Sequence, residues 1–306
     1  MNLAVSNICN ASCLFCPRSF VTVEKDKRFM SVSLVERIME EVTKPEFKAQ
    51  HPVVHAACAE NGEPFLNPDI LDILRTVRAH GLEVTLFSNF SLITEKIALV
   101  IITENLTGSI HFNIDGVTPE SYKAVKGLDL KTVENNIKRF IEIRDSMKSP
   151  IKLLGHIITQ ATYYNAVMKE YVRPPAKFKE PLHPEDRELT LLKVKSILNP
   201  LSDTVGIDSV LFWAERYSGY PRSGPFRCPN LERVKHVAYI NPEGDAYACC
   251  FDVGNELVIG NVNEDSLYEI AKSNRRKDLV KKLEEGRFEE IGFPCTRVDC
   301  CQGVRV

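Results

Sequence analysis

Residues 7–18 read Asn7-Ile8-Cys9-Asn10-Ala11-Ser12-Cys13-Leu14-Phe15-Cys16-Pro17-Arg18. Three cysteines at C-x3-C-x2-C spacing follow the short apolar run Leu3 to Val5, which places them on a loop at the end of a first strand. Thiols so close together read first as metal ligands. A disulfide would leave one of the three odd, and zinc ordinarily takes a fourth ligand nearby. A cubane iron–sulfur cluster held by three cysteines keeps one iron open, and that iron is where chemistry would occur. A structural zinc loop or surface thiols are the alternative.

Working outward, apolar residues at Leu34, Val35, Ile38, Met39 and Val42 recur at helical period, with Ser33 as the expected N-cap. The compact run Pro52 to Ala57 predicts a second strand and Asp69 to His80 a helix closed by Gly81. Strands over Leu82–Phe87, Ser109–Ile114 and Ile151–Ile158 then alternate with helices over Thr94–Thr103, Pro119–Val125 and Lys131–Asp145. Apolar runs interleaved with amphipathic helices predict an α/β fold with a parallel sheet of buried strands. Tyr163 to Pro184 reads as an irregular insertion, Glu185 to Leu198 as a helix and Thr204 to Trp213 as a sixth strand. Beyond Gly219 the pattern shifts. Val234–Ile240 and Asp245–Cys250 flank Asn241-Pro242-Glu243-Gly244 as a hairpin, Leu257–Val262 is a further strand, and Ser266–Ser273 and Lys277–Glu285 are helical. The expected division is a domain over 1–221 and a smaller one over 222–306.

Composition limits the partners. With 306 residues, 44% of them hydrophobic, and a formal net charge of -2, the chain is of ordinary globular make-up and has no basic surface suited to nucleic acid. The Lys272–Lys282 run is interspersed with acids and reads as a solvated helix face. No apolar window reaches membrane-spanning length and no export signal opens the chain, so no membrane partner and a cytoplasmic location are expected. Ten cysteines gathered at opposite ends of such a chain fit metal binding in a reducing compartment better than disulfides.

The cysteine spacing, with Phe15 just before the third cysteine, resembles the signature of radical S-adenosylmethionine (SAM) enzymes. That resemblance implies a partial (β/α)6 barrel, with ligands at the C-terminal ends of its strands. It also implies a [4Fe-4S] cluster on Cys9, Cys13 and Cys16 whose open iron chelates SAM. Asn61-Gly62-Glu63-Pro64 resembles the family's Gly-Gly-Glu-Pro loop, so Glu63 takes the role of acceptor for the methionyl ammonium, with Asn61 departing at the first position. Phe15 matches the position that packs along the adenine. Ser88 and Asn89 close the third strand, and Asn113 and Asp115, two apart, close the fourth on one expected face. Ser88 and Asn113 are read as cofactor-binding, Asn89 and Asp115 as substrate residues. Asn113 through Lys126-Gly127 resembles a stretch of SPASM-type enzymes in which arginine often stands at Lys126, where lysine offers a point charge to the SAM carboxylate in place of a bidentate clamp. Trp213, Glu215 and Arg216 are substrate-site candidates at the sixth strand's end. His156 reads as a core histidine and Cys58 as a small buried apolar residue.

Cys228, Cys249-Cys250, Cys295 and Cys300-Cys301 place six thiols in the last part of the chain. With Cys228-Pro229, the hairpin and the Ile259-Gly260-Asn261-Val262 run, this resembles the SPASM/Twitch domain, a small α+β iron–sulfur domain. Six cysteines imply one auxiliary [4Fe-4S] cluster of Twitch type on Cys228, Cys249, Cys295 and Cys300, with Cys250 and Cys301 as the alternatives to their neighbours and a zinc site as the alternative for the region. A thiol left over, Cys250 first, is a candidate hydrogen donor to a substrate radical.

The implied activity is that of a radical SAM oxidoreductase or epimerase. A 5′-deoxyadenosyl radical abstracts hydrogen from substrate, and either dehydrogenation or epimerisation follows. A flavodoxin or ferredoxin is the expected electron donor. The chain opens on the first barrel strand, which favours a small-molecule substrate such as an aminocyclitol, sugar or aminoglycoside. A ribosomally made peptide and a non-catalytic electron-transfer protein are the competing readings.

Overall fold

Strands rich in alternating apolar residues pair in parallel, and the helices between them cover one face. The computed structural model describes residues 1–13, 16, 18, 28–59, 62–159, 163–165, 170–172, 184–199, 202–209, 228, 230–250, 252, 254–292 and 294–296. The barrel part runs β1 (Asn2–Leu3), α1 (Val32–Val42), α2 (Pro45–Gln50), β2 (His55–Cys58), α3 (Ile70–Ala79), β3 (Glu83–Phe87), α4 (Glu95–Thr103), β4 (Ser109–Asn113), α5 (Pro119–Lys126), α6 (Leu130–Ser146), β5 (Lys152–Thr159), β6 (Tyr163–Asn165), β7 (Glu170–Val172), α7 (Pro184–Ile197) and β8 (Thr204–Ser209). The remainder runs α8 (Leu231–His236), β9 (Tyr239–Ile240), β10 (Asp245–Tyr247), β11 (Val258–Asn261), α9 (Leu267–Lys272), α10 (Asn274–Glu284) and α11 (Phe288–Ile291).

One nine-stranded sheet has the order β11-β10-β9-β1-β2-β3-β4-β5-β8. Its six strands from β1 to β8 are all parallel, as the alternating pattern requires. The C-terminal hairpin adds to the same sheet: β9 pairs in parallel with β1, and β10 turns back on β9. The strand that leads into the cysteine loop therefore has neighbours from both ends of the chain.

Parity decides the two faces. Val84, Leu86, Ile110, Phe112, Leu153 and Ile157 are buried under the helices. Thr85, Ser109, His111, Asn113 and His156 alternate with them and stay half-buried on the other, open face. Arg144 of α6 is buried against Asp203, which also accepts from the Leu153 amide, pinning helix to sheet at the edge away from the cysteines.

Three local expectations are corrected. Ser31, not Ser33, caps α1: its hydroxyl accepts from the Leu34 amide at 3.1 Å. The span Val234–Ile240 is not one strand, because Leu231 and Val234 lie one turn apart and close a helix that buries Val234, and only Tyr239–Ile240 is extended. The insertion after β5 is not wholly irregular, since β6 and β7 form an antiparallel pair. The hairpin turn holds as expected: the Asn241 side chain accepts from the Glu243 and Asp245 amides, and Gly244 takes φ +88°, where L side chains are strained.

Candidate active site: a cysteine loop over a buried glutamate

The cysteine loop lies across the C-terminal ends of β1 to β4. Cys9, Cys13 and Cys16 are each half-buried, and the three sulfurs are electrostatic neighbours of one another. The Ala11 amide donates to Cys9 Sγ at 3.4 Å, and Cys16 N donates to Cys13 O at 3.1 Å, closing a turn. Burial raises the Cys9 thiol above its ordinary range and pushes Cys16 up to about 11. Thiols so desolvated ionise readily only when a cation takes the proton's place, which is the behaviour of a metal ligand.

Two glycines seat the loop. A Cβ on Gly62 would lie 2.3 Å from Ser6 O and 2.6 Å from Ile8 O, and a Cβ on Gly127, at φ +72°, would lie 2.0 Å from Ser12 Oγ. Backbone bonds complete the seat, from Glu63 N to Ile8 O at 2.8 Å and from Ser12 N to Lys126 O at 2.9 Å. The strand-end Gly-Glu and the Lys-Gly closing α5 are thus the two shelves on which the cysteine loop rests.

Glu63 is almost fully buried beside the loop. Its carboxylate accepts from Ser88 Oγ at 2.7 Å, from Asn89 N at 2.8 Å and from Phe65 N at 3.3 Å. Burial outweighs those donors and pushes the carboxyl up to about 7. A group held this way gains from an arriving cation: three donors fix its direction, and a positive partner removes the penalty on its charge. Phe90, fully buried at φ +63°, marks strain at the bend behind it, and the Asn136 amide holds that bend through Phe90 O and Ser91 O.

The predicted residues separate on inspection. Ser88 points at Glu63 and orients it. The Asn89 side chain bridges the cysteine loop, donating to Asn10 Oδ1 at 2.9 Å and to Cys9 Sγ at 3.9 Å, while its Oδ1 accepts from Ser91. Asn113 and Asp115 do not share a face. Asn113 is half-exposed at the end of β4, whereas Asp115, past the strand, is fully buried 3.1 Å from Lys126 Nζ, so its expected place in the substrate mouth is corrected to one beneath the loop. Burial works against the Lys126 ammonium, but the charges of Cys13 and Asp115 overcome it and hold it above the ordinary lysine range. Cys58 is buried, as read, and burial pushes its thiol up to about 12. His156 is corrected from the core to the open face, where it meets His111, a residue the motif search passed over. Their signal was the alternation of His111 and Asn113 with Ile110, Phe112 and Ile114. Phe15, Trp213, Glu215, Cys300 and Cys301 lie outside the described residues.

In the C-terminal part, Cys249, Cys250 and Cys295 are buried and Cys228 half-buried. The Asn230 amide, two residues after Cys228, donates to Cys249 Sγ at 3.9 Å. The buried Asp252 carboxylate ties the segment after the cysteine pair to β11 through the Glu256 and Leu257 amides.

A half-open three-cysteine loop at the ends of a parallel six-stranded sheet, with a buried carboxylate alongside and further cysteines at the C-terminus, defines an iron–sulfur protein of the partial-barrel class. The Radical SAM superfamily profile matches residues 3–154, and that of the SPASM iron–sulfur cluster-binding domain matches residues 228–301. The chain belongs to the radical SAM superfamily and carries a C-terminal SPASM domain, and its cofactors are accordingly a SAM-binding [4Fe-4S] cluster, auxiliary iron–sulfur chemistry of the same type, and SAM. It is 23% identical over 309 residues to the mycofactocin maturase MftC of Mycobacterium tuberculosis (strain CDC 1551 / Oshkosh), covering 96% of this chain and 75% of that protein. Among solved structures it resembles BtrN in complex with AdoMet and 2-DOIA, with TM-score 0.56, 16% identity, and 99% and 90% of the two chains covered. It also resembles Streptococcus suis SuiB bound to precursor peptide SuiA, with TM-score 0.59, 15% identity, and 98% and 75% covered. Among the described residues no helix is long and apolar enough to cross a membrane.

Proposed function

We propose that the chain is a peptide-modifying radical SAM enzyme. The observation that carries this reading is similarity to a maturase and to an enzyme bound to a precursor peptide along nearly the whole chain, both cysteine regions included. The small polar metabolite favoured by the sequence becomes the alternative substrate class.

In this reading Cys9, Cys13 and Cys16 hold the first cluster and Glu63 takes the methionyl ammonium, its direction fixed by Ser88, Asn89 and Phe65. When bound, the reduced cluster and SAM supply a 5′-deoxyadenosyl radical able to remove hydrogen from an unactivated carbon. Asn113 borders the cofactor from β4, and Lys126 acts from below, its ammonium shared between Asp115 and the Cys13 sulfur. Phe15 is assigned to the adenine, and Trp213 and Glu215 to the substrate edge, on the sequence resemblance. Residues 1–221 form the catalytic domain and 222–306 the auxiliary one. There Cys228, Cys249, Cys295 and Cys300 are the proposed ligands, with the Asn230 contact favouring Cys249 over Cys250.

The outcome proposed is dehydrogenation, for which an auxiliary cluster, if held by Cys228, Cys249, Cys295 and Cys300, would supply electron-accepting chemistry. Epimerisation, with Cys250 as hydrogen donor, is the alternative outcome. A flavodoxin or ferredoxin supplies the reducing electron.

The test is anaerobic reconstitution with iron, sulfide, SAM and dithionite, followed by mass spectrometry on peptides translated from short reading frames flanking the gene. A peptide that loses two hydrogen atoms, with 5′-deoxyadenosine formed one for one, supports the proposal. Stimulation of 5′-deoxyadenosine by aminocyclitols or sugars and by no peptide would overturn it.

A further inference from the structure

On the open face of the sheet, three rings from three adjacent strands line up in a row. Phe87 of β3 lies over His111 of β4 with centroids 4.4 Å apart and planes 29° apart, and His111 meets His156 of β5 edge to edge, with centroids 5.0 Å apart and planes 18° apart. Register explains the row, since Phe87 is opposite His111, and His156 is opposite Asn113, one step along the same face of β4. The two imidazoles also share a hydrogen bond, with His111 Nδ1 2.9 Å from His156 Nε2. The nitrogens therefore run in order from His111 Nε2 through Nδ1 to His156 Nε2 and Nδ1, and the last is shut off from solvent. Phe87, 42% exposed, leaves an aromatic surface beside the outer end.

The row is one step from the cofactor pocket. Phe87 directly precedes Ser88, and the Ser88 amide donates to His111 O at 3.0 Å, so the residue that orients Glu63 is hung from the histidine strand. Two neutral imidazoles in line are a proton wire, because each accepts on one nitrogen and donates from the other. No feature of cluster or SAM binding in the proposed function uses them.

We propose that His111 and His156 form a proton relay facing the substrate, taking a proton from an N–H or O–H group of the bound peptide at His111 Nε2 while His111 Nδ1 passes its own to His156 Nε2. In this step the substrate N–H or O–H bond breaks and its electron pair stays on the substrate. An N–H bond forms at His111 Nε2, the Nδ1–H bond breaks, and His156 ends as the imidazolium. The relay rests on the peptide reading for its donor and on the ring geometry for its existence. Other ionisable groups on this face stand toward the opposite strand ends: His55 bonded to Thr85, Glu83 paired with Arg78, and Lys152. On β8, Asp208 is in register with Ile158.

Two measurements test it on the reconstituted full chain. Selectively labelled histidine NMR reads the rings without substrate. The expected result is a through-hydrogen-bond coupling between His111 Nδ1 and His156 Nε2 that disappears in His156→Gln. Absence of that coupling in the wild type would overturn the relay. The second measurement is turnover of the peptide at saturating SAM, where Glu63 is already paired. His111→Gln and His156→Gln should each lower kcat about 10²-fold and change the dependence of rate on pH. KM should move far less than kcat. Variants that keep the wild-type pH profile would overturn the proposal. A wild type that accepts no peptide but shows the coupling between the two rings would remove the peptide reading alone.

Discussion

The two cysteine regions of this molecule are built in opposite ways. The N-terminal three are half-buried on a loop that rests on glycines and faces a buried carboxylate. Cys249, Cys250 and Cys295 are buried in the C-terminal part, with only Cys228 half-buried among the described cysteines there, and the buried Asp252 carboxylate is occupied with backbone amides. An iron that must exchange ligands needs an open side and a waiting countercharge. A cluster that only passes electrons is better served by enclosure, which fixes its surroundings.

Removing a ligand from each region should separate them most sharply. Cys13→Ser should abolish SAM cleavage outright, whereas Cys295→Ser should lose the iron of an auxiliary cluster and product formation while SAM is still bound and cleaved. Iron analysis, low-temperature EPR and 5′-deoxyadenosine assay check this, and equal loss in both variants would erase the contrast.

Next in size is the charge pair beneath the open loop. Asp115→Asn leaves the Lys126 ammonium buried without its carboxylate and should destabilise the fold by about 3–5 kcal/mol in urea unfolding. An effect within the scatter of surface substitutions would show that the Cys13 sulfur alone holds that ammonium.

Glu63→Gln should weaken SAM binding at least about tenfold, by loss of a charge-assisted contact. In the wild type, binding should weaken as pH falls through about 7, because protonation neutralises the acceptor. The stability sign is the reverse. Between the ordinary glutamate value of 4.5 and about 7 the folded chain holds a proton that the unfolded chain has lost, so stability of the cofactor-free protein falls as pH rises across that window and levels off above it. Calorimetry and chemical denaturation across pH should find both slopes gone in Glu63→Gln.

The smallest effects come from a contact that the two regions share. Asn89 and Asn230 each direct an amide at a cysteine sulfur, Cys9 and Cys249, at 3.9 Å. Replacing either with alanine should move the nearer cluster to a more negative potential and leave the other in place, as read by EPR-monitored redox titration.

Much of the barrel was legible in the sequence because its signals are local. Apolar runs gave β2 to β5, and helical periodicity with a stop at Gly81 bounded α3 within a residue or two. The cysteine triad and Glu63 were legible because metal and cation chemistry constrain spacing. Asp115 was misplaced because counting two residues from Asn113 assumes that the strand continues, and β4 ends at Asn113. The facing of His156 was obscured by Leu154, an apolar residue on the open face that blurs the alternation. Val234 and Val237 look extended by propensity, yet helix packing took the first of them. The parallel pairing of Tyr239–Ile240 with Asn2–Leu3 joins residues more than two hundred positions apart through two-residue strands, too short to carry any pattern.

That pairing ties the fate of the two halves. Asn2 and Leu3 are clasped between β2 and β9, three residues before the metal-binding loop begins to turn. Peeling away the C-terminal lobe would bare an unsatisfied strand edge directly upstream of Cys9, so heating or dilute denaturant should dismantle both halves in one transition.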